Sequence, residues 1–120
     1  MDLVQEDIRF TKALNYFNTG NWYRAHDAFE ELWHETLGPE RQTIQGLLQI
    51  AVAQVHLQRG NRVGATILCG EGLGRLKRPE TPDLGLDIQM LCRCLELRLQ
   101  FLQNGGDPED FSVPSLLKRS

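Results

Sequence analysis

Apolar residues recur at the three-to-four-residue spacing of an amphipathic helix along most of the chain, and no segment keeps the period-two alternation of a half-buried strand. The first stripe, Ile8, Ala13, Leu14 and Phe17, predicts a helix from Asp2 or Leu3 to Asn18. It stops at Asn18-Thr19-Gly20-Asn21, where Gly20 can take a positive φ without a Cβ penalty. A second stripe of Trp22, Ala25, Phe29, Leu32, Trp33 and Thr36 predicts a helix from Trp22 to Thr36, with Asn21 as N-cap and Gly38-Pro39 as its stop. The third, from Glu40 to Gln58, is apolar on nearly every side and ends at Gly60-Asn61. The fourth, from Arg62 to Lys77, contains Gly64, Gly70, Gly72 and Gly74, each costing about 1 kcal/mol relative to alanine in a helix interior. Bending or fraying is expected there unless close packing offsets the cost. Beyond a loop at 78–83, Ile88, Leu91, Cys92, Leu95, Leu99 and Leu102 predict a fifth helix from Leu84 to Asn104. Residues 105–120 read as an irregular tail pinned by Phe111, Val113 and Leu116.

The chain repeats itself at an offset of forty residues. Ala13 pairs with Ala53, Phe17 with Leu57, Gly20-Asn21 with Gly60-Asn61, Ala25 with Ala65, and Phe29 with Cys69. Each unit is a helix, a tight turn and a second helix whose early alanine permits close approach, the logic of tetratricopeptide and other helical repeats. Two units are too few for a solenoid. The expected fold is therefore all-α, a compact bundle of about five helices in which two related helix-turn-helix hairpins are closed by the fifth helix. A single domain spans 1–104.

Composition narrows the function classes. With 41% hydrophobic residues, 24% charged residues and a net charge of -3 in 120 residues, the chain is neither disordered nor fibrous, nor a basic duplex-binding module. The acidic N-terminus carries no signal-peptide pattern, and the most apolar stretch, Ile44 to Leu57, is broken by Gln45, Gln49, Gln54 and His56. A cytoplasmic location without membrane contact is the expectation. Three cysteines do not make a disulfide framework; Cys92 and Cys94, at i and i+2, face apart on a helix, and with Cys69 they read as core thiols. Residues 1–40 hold 8 acidic and 3 basic groups, and residues 41–80 hold 2 and 6. Arg59, Arg62, Arg75, Lys77 and Arg78 could form a basic patch for weak RNA binding over 59–78, but no aromatics are interleaved to stack on bases, so nucleic acid is not the expected partner.

The polar residues set into apolar stripes carry the candidate chemistry. His26 lies at i, i+3 and i+7 with Phe29 and Trp33, Glu30 follows it by one turn, and His34 follows Glu30 by another. On the third helix Gln45, Gln49 and His56 share one edge, where they could face His26 and Glu30 across an antiparallel pair. Such a cluster supports three readings. It can be a satisfied buried network that sets helix register. It can be an acid–base site with His26 or His56 as proton carrier and Glu30 as its orienting group. It can also bind a divalent metal through His26, Glu30, His34 or His56. Glu31-x-x-His34 has the spacing of half a di-iron site, but no other helix supplies a second Glu-x-x-His, and Glu31 points away from the apolar stripe. No cofactor is predicted, and no phosphate-binding glycine motif is present.

The segments 17–33 and 44–65 combine an Ala-His-x3-Glu-x2-Trp motif, a Gln-Gly-x2-Gln motif and a Gly-Asn-x2-Gly-Ala motif. Together they resemble the small helical family known as domain of unknown function 309, over about residues 8–77. The resemblance implies an all-α domain with motif positions at His26, Glu30, Trp33, Gln45, Gly46, Gln49, His56, Gly60, Asn61, Gly64 and Ala65, and it implies no activity. Asp27 stands where the family commonly has Glu, and the glycines at 70, 72 and 74 are unusually dense. The expected function is a binding or scaffold module for a protein or peptide partner, or a homo-oligomer; the alternative is a small enzyme or metal protein built on His26, Glu30 and His56.

Overall fold

Capping chemistry sets the helix ends in the computed structural model, which describes residues 3–106, 114–116 and 118. After a 3-10 turn at Val4–Glu6 come α1 (Ile8–Asn18), α2 (Trp22–Glu35), α3 (Glu40–Gln58), α4 (Arg62–Leu76) and α5 (Ile88–Gln103). Each helix packs on the next along the chain, α3 against α4 most extensively. The result is an all-α bundle of five helices. Among the described residues the one extended pairing is an isolated antiparallel bridge between Leu86 and Lys118. No helix among them is long and apolar enough to cross a membrane.

The first helix begins later than the apolar stripe suggests. Asp7 is extended, and its Oδ1 accepts from Arg9 N–H at 2.9 Å, so it caps α1 and cuts it off from the preceding turn. Ile8 is therefore 68% exposed and not part of the core, where Phe10 is found instead. The fifth helix also starts late. Leu84 and Gly85 have φ of 52° and 78°, which no right-handed helix can include, and Asp87 caps α5 by accepting from Met90 N–H at 3.0 Å. Of the tail's expected anchors, Leu116 is buried and exchanges two hydrogen bonds with the Asn18 side chain, at 2.9 and 2.6 Å. Phe111 and Val113 lie outside the described residues.

The two Gly-Asn turns are built alike. Gly20 and Gly60 have φ of 76° and 77°. In each, the asparagine N–H reaches back at 2.8 Å to a carbonyl five residues earlier, Tyr16 for Asn21 and His56 for Asn61. Past the turns, Ala25 and Ala65 are both fully buried.

The fourth helix, despite its glycines, is regular from end to end. A Cβ on Gly72 would lie 2.9 Å from the Gly46 carbonyl oxygen and 2.7 Å from Ile50 Cδ1, and one on Gly46 would lie 2.8 Å from Leu76 Cδ2. The two glycines mark the crossing of α3 and α4, and the contact they allow offsets their helix cost. Gly74 has open space before it, and nothing in the structure explains it.

The core centres on Phe17, whose ring meets Trp22 edge-on at 4.9 Å and Phe29 at 6.4 Å. Farther along the stack, Arg98 of α5 is buried and its Nη2 donates to Gln54 Oε1 of α3 at 2.8 Å. Arg98 does not stand out in the sequence pattern, and Gln54 does so only as a polar break in the apolar third helix. Nearby, burial pushes the Cys69 thiol up to about 11 from an ordinary 9.0, against a smaller opposing pull from Arg98. The unfolded chain loses this proton near 9 while the folded one keeps it, so Cys69 stabilises the fold below that value and its contribution falls as pH rises towards 11. Urea unfolding at pH 8 and 10.5 should show a loss of up to about 2 kcal/mol from this group. Cys69→Ala should flatten that pH slope, whatever it costs in packing.

Candidate metal centre on the outer face of α2

The amphipathic spacing of α2 turns Trp22, Ala25, Phe29 and Leu32 inward and leaves His26, Glu30 and His34 in a line along its outer edge, one turn apart. His26 is the least exposed of the three, at 27% of its side chain, against 46% for Glu30 and 63% for His34. Its Nε2 lies 3.2 Å from Glu30 Oε2 and its Nδ1 lies 3.1 Å from Asp27 Oδ1. The other Glu30 oxygen is 3.8 Å from His34 Nε2. His26, Asp27 and Glu30 each offer one ligand atom, and these atoms lie within 4.8 Å of one another. Tyr23, exposed as its off-stripe position suggests, lies beside His26 with ring centroids 6.1 Å apart.

The two carboxylates meet the imidazole on opposite nitrogens. In the tautomer protonated on Nδ1, that N–H donates to Asp27 and the Nε2 lone pair is left for a metal ion. Carboxylate–histidine pairs orient metal-bound imidazoles in this way. The 3.2 Å between Nε2 and Oε2 is close to the ligand–ligand edge of a tetrahedral ion bound at about 2.0–2.1 Å. An ion held by Nε2 and Glu30 of one exposed helix would leave its remaining coordination positions to water or to a ligand.

The other expected members of the cluster go elsewhere. Gln49 does not face α2: its Nε2 donates to Glu71 Oε2 at 3.1 Å, and its Oε1 accepts from Arg75 Nε at 3.0 Å. Arg75 Nη1 also reaches Gln42 Oε1 at 2.9 Å. The reason is register: Gln42, Gly46, Gln49 and Ile50 share one side of α3, and the glycine crossing gives that side to α4. Gln45 is half-buried on α3. His56 closes the second Gly-Asn turn, its Nδ1 lying 3.2 Å from Asn61 Nδ2, while Asn61 Oδ1 caps α4 by accepting from Gly64 N–H at 2.9 Å. The motif positions His56, Gly60, Asn61, Gly64 and Ala65 thus belong to a turn and the start of a helix, and His56 does not join His26.

Glu31 is exposed, as the stripe predicts, and together with Glu35 it binds Arg9 of α1, at 3.3 and 2.5 Å. Trp33 packs half-buried under the Arg41 guanidinium, 4.0 Å from the ring centroid, with His34 against it edge-on at 5.2 Å. The basic residues of 59–78 do not make one patch. Arg59 and Arg62 sit at one end of α4 and Arg75, Lys77 and Arg78 at the other, a helix of 15 residues apart. Several are already engaged: Arg62 donates to the carbonyls of Leu102 and Gly106, Arg75 to the two glutamines, and Lys77 pairs with Glu96 at 2.8 Å. What the sequence pattern missed is Asp27, read there only as a shortened family position. Its adjacency to His26 was the available signal.

Residues 10–68, which run from α1 into the first half of α4, match the family model described as Domain of unknown function (DUF309). None of the curated proteins matches the chain.

Proposed function

Because the chain belongs to the DUF309 family over residues 10–68, and that family is described only by its unknown function, its chemistry has to be argued from its side chains; we propose that the protein binds a divalent metal ion on the outer face of α2. His26 Nε2 and Glu30 are the ligands, with Asp27, on the Nδ1 side, as the group that orients the imidazole. The observation that carries this reading is a set of three potential donor atoms within 4.8 Å of one another, from the adjacent His26 and Asp27 and from Glu30 one turn on. An imidazole nitrogen with carboxylate oxygens suits zinc and similar first-row ions. The open positions suit an exchangeable ion that presents a bound water or takes up an anionic ligand, in contrast to the closed four-ligand sites that hold folds together.

Zinc titrated into chelator-treated protein, followed by calorimetry, should bind with one equivalent per chain. His26→Ala and Glu30→Gln should each weaken binding at least tenfold, while Glu31→Gln, at a carboxylate paired with Arg9, should leave it unchanged. Zinc binding that survives His26→Ala would overturn the assignment.

A second reading, a scaffold for a protein or peptide partner, draws support from the exposed apolar side chains Leu3, Ile8 and Leu37. A reducing cytoplasmic setting fits both readings and the buried thiols of Cys69 and Cys92.

A further inference from the structure

The 3-10 turn at Val4–Glu6, the start of α1 and the end of α2 enclose an open cleft of about 900 Å³. Its walls combine two features. Three exposed large apolar side chains line it, Leu3, Ile8 and Leu37, at 55%, 68% and 81% exposure, with the buried Leu32 behind them. Among the described residues, four carboxylates, Glu6, Asp7, Glu35 and Glu40, stand around it, against a single cation, Arg9. Arg9 is itself taken up by Asp7 at 2.8 Å and by Glu31 and Glu35 at the distances given above.

We propose that this cleft docks a basic amphipathic segment of another protein, an apolar ridge flanked by lysine or arginine. The proposal builds on the scaffold reading by fixing the place and the partner's chemistry, and it is independent of the metal face. Apolar side chains exposed singly need no explanation, but three around one cleft form a surface that releases water when covered. The charge decides what covers it. Glu31 and Glu35 lie in the last part of α2, where the helix dipole already presents negative partial charge and acidic groups are unfavourable. Arg9 offsets part of that repulsion, and the cleft wall still carries a formal excess of negative charge. A cationic partner would relieve it, whereas an acidic one would add to it. A second copy of this chain would have to bring its basic groups to the cleft, and the cations at both ends of α4 are largely committed to internal carbonyls, amides and Glu96.

The test uses the full chain and three fluorescein-labelled 14-residue peptides in polarisation titrations at physiological salt. One peptide carries leucine at helical i, i+3, i+4 spacing with lysine elsewhere. The second replaces lysine by glutamate, and the third keeps the lysines and replaces leucine by serine. The leucine–lysine peptide should bind at least tenfold more tightly than either of the others. Ile8→Asp and Leu37→Asp, both at exposed positions, should each weaken it at least tenfold, and Leu97→Asp, an exposed apolar position on α5, should not. Equal binding of the lysine–serine peptide, or equal loss with Leu97→Asp, would reduce the attraction to bulk charge and overturn the proposal. A dimer in sedimentation that Leu37→Asp dissociates would assign the cleft to a second copy and overturn it equally. Because none of these residues touches His26, Asp27 or Glu30, zinc binding by the same variants should be unaltered, and the two readings fail separately.

Discussion

Phe17→Ala is expected to lower the unfolding free energy by about 3–5 kcal/mol, the cost of removing a buried ring and leaving a cavity that its neighbours only partly fill. Phe17 has no exposed surface and holds edge-on contacts with both Trp22 and Phe29, so it joins the end of α1, the first Gly-Asn turn and the middle of α2. For a chain of 120 residues, total stability is of order 6–18 kcal/mol, so this one substitution removes a large part of it. Urea denaturation followed by tryptophan fluorescence measures it directly, because Trp22 is one of the rings in contact. Phe29→Ala should cost a similar amount, and the double variant less than the sum, since the two rings share a contact and their cavities merge. Ile8→Ala, at a position with the same apolar character in sequence, should change stability by less than about 0.5 kcal/mol. A comparable loss at Ile8 would mean that the N-terminal segment packs differently from the arrangement described.

The contrast between Phe17 and Ile8 shows where the sequence was legible. Helices two, three and four were readable almost to the residue, because Gly20, Gly38 and Gly60 take the positive φ that their turns require, and because the apolar runs between them are long. The starts of α1 and α5 were not. The expected first helix runs back to Leu3 and the expected fifth to Leu84, each an apolar residue outside the true start, while an aspartate one residue before that start provides the cap. Pattern counts side chains; the cap depends on backbone angles that the pattern does not encode. The candidate site was legible in the same uneven way. His26 and Glu30 are one turn apart on a single helix, so their proximity follows from helical geometry alone. Whether Gln49 would meet them depended on which side of α3 each neighbouring helix occupies, and that is decided by the close approach at Gly46 and Gly72. The buried Arg98–Gln54 pair was invisible for a related reason: a lone arginine in a leucine-rich helix reads as surface until a partner on another helix is placed against it.

That glycine crossing leads to the second large effect. Gly72→Val should destabilise the protein by about 3 kcal/mol or more, since its Cβ would press on the Gly46 carbonyl oxygen, a backbone atom that cannot swing aside, as well as on Ile50. Valine is a poor helix former but a better one than glycine, so propensity alone would predict a small gain. The sign of the result therefore separates packing from propensity. Gly74→Ala supplies the matched control on the same helix: its new methyl group meets open space, and the substitution should stabilise by about 1 kcal/mol. Thermal or urea unfolding of the two variants beside the parent protein should move the midpoint in opposite directions. If Gly72→Val were neutral, α3 and α4 could not cross at these glycines, and Gln49 would be free of the register that now turns it towards Arg75 and Glu71. The metal face should respond to neither change so long as the chain remains folded. Its three potential donors all come from α2, and their spacing is a property of that helix alone. Zinc affinity that fell with Gly72→Val in the folded protein would show that α3 holds α2's outer edge in place, and would return the third helix to the site.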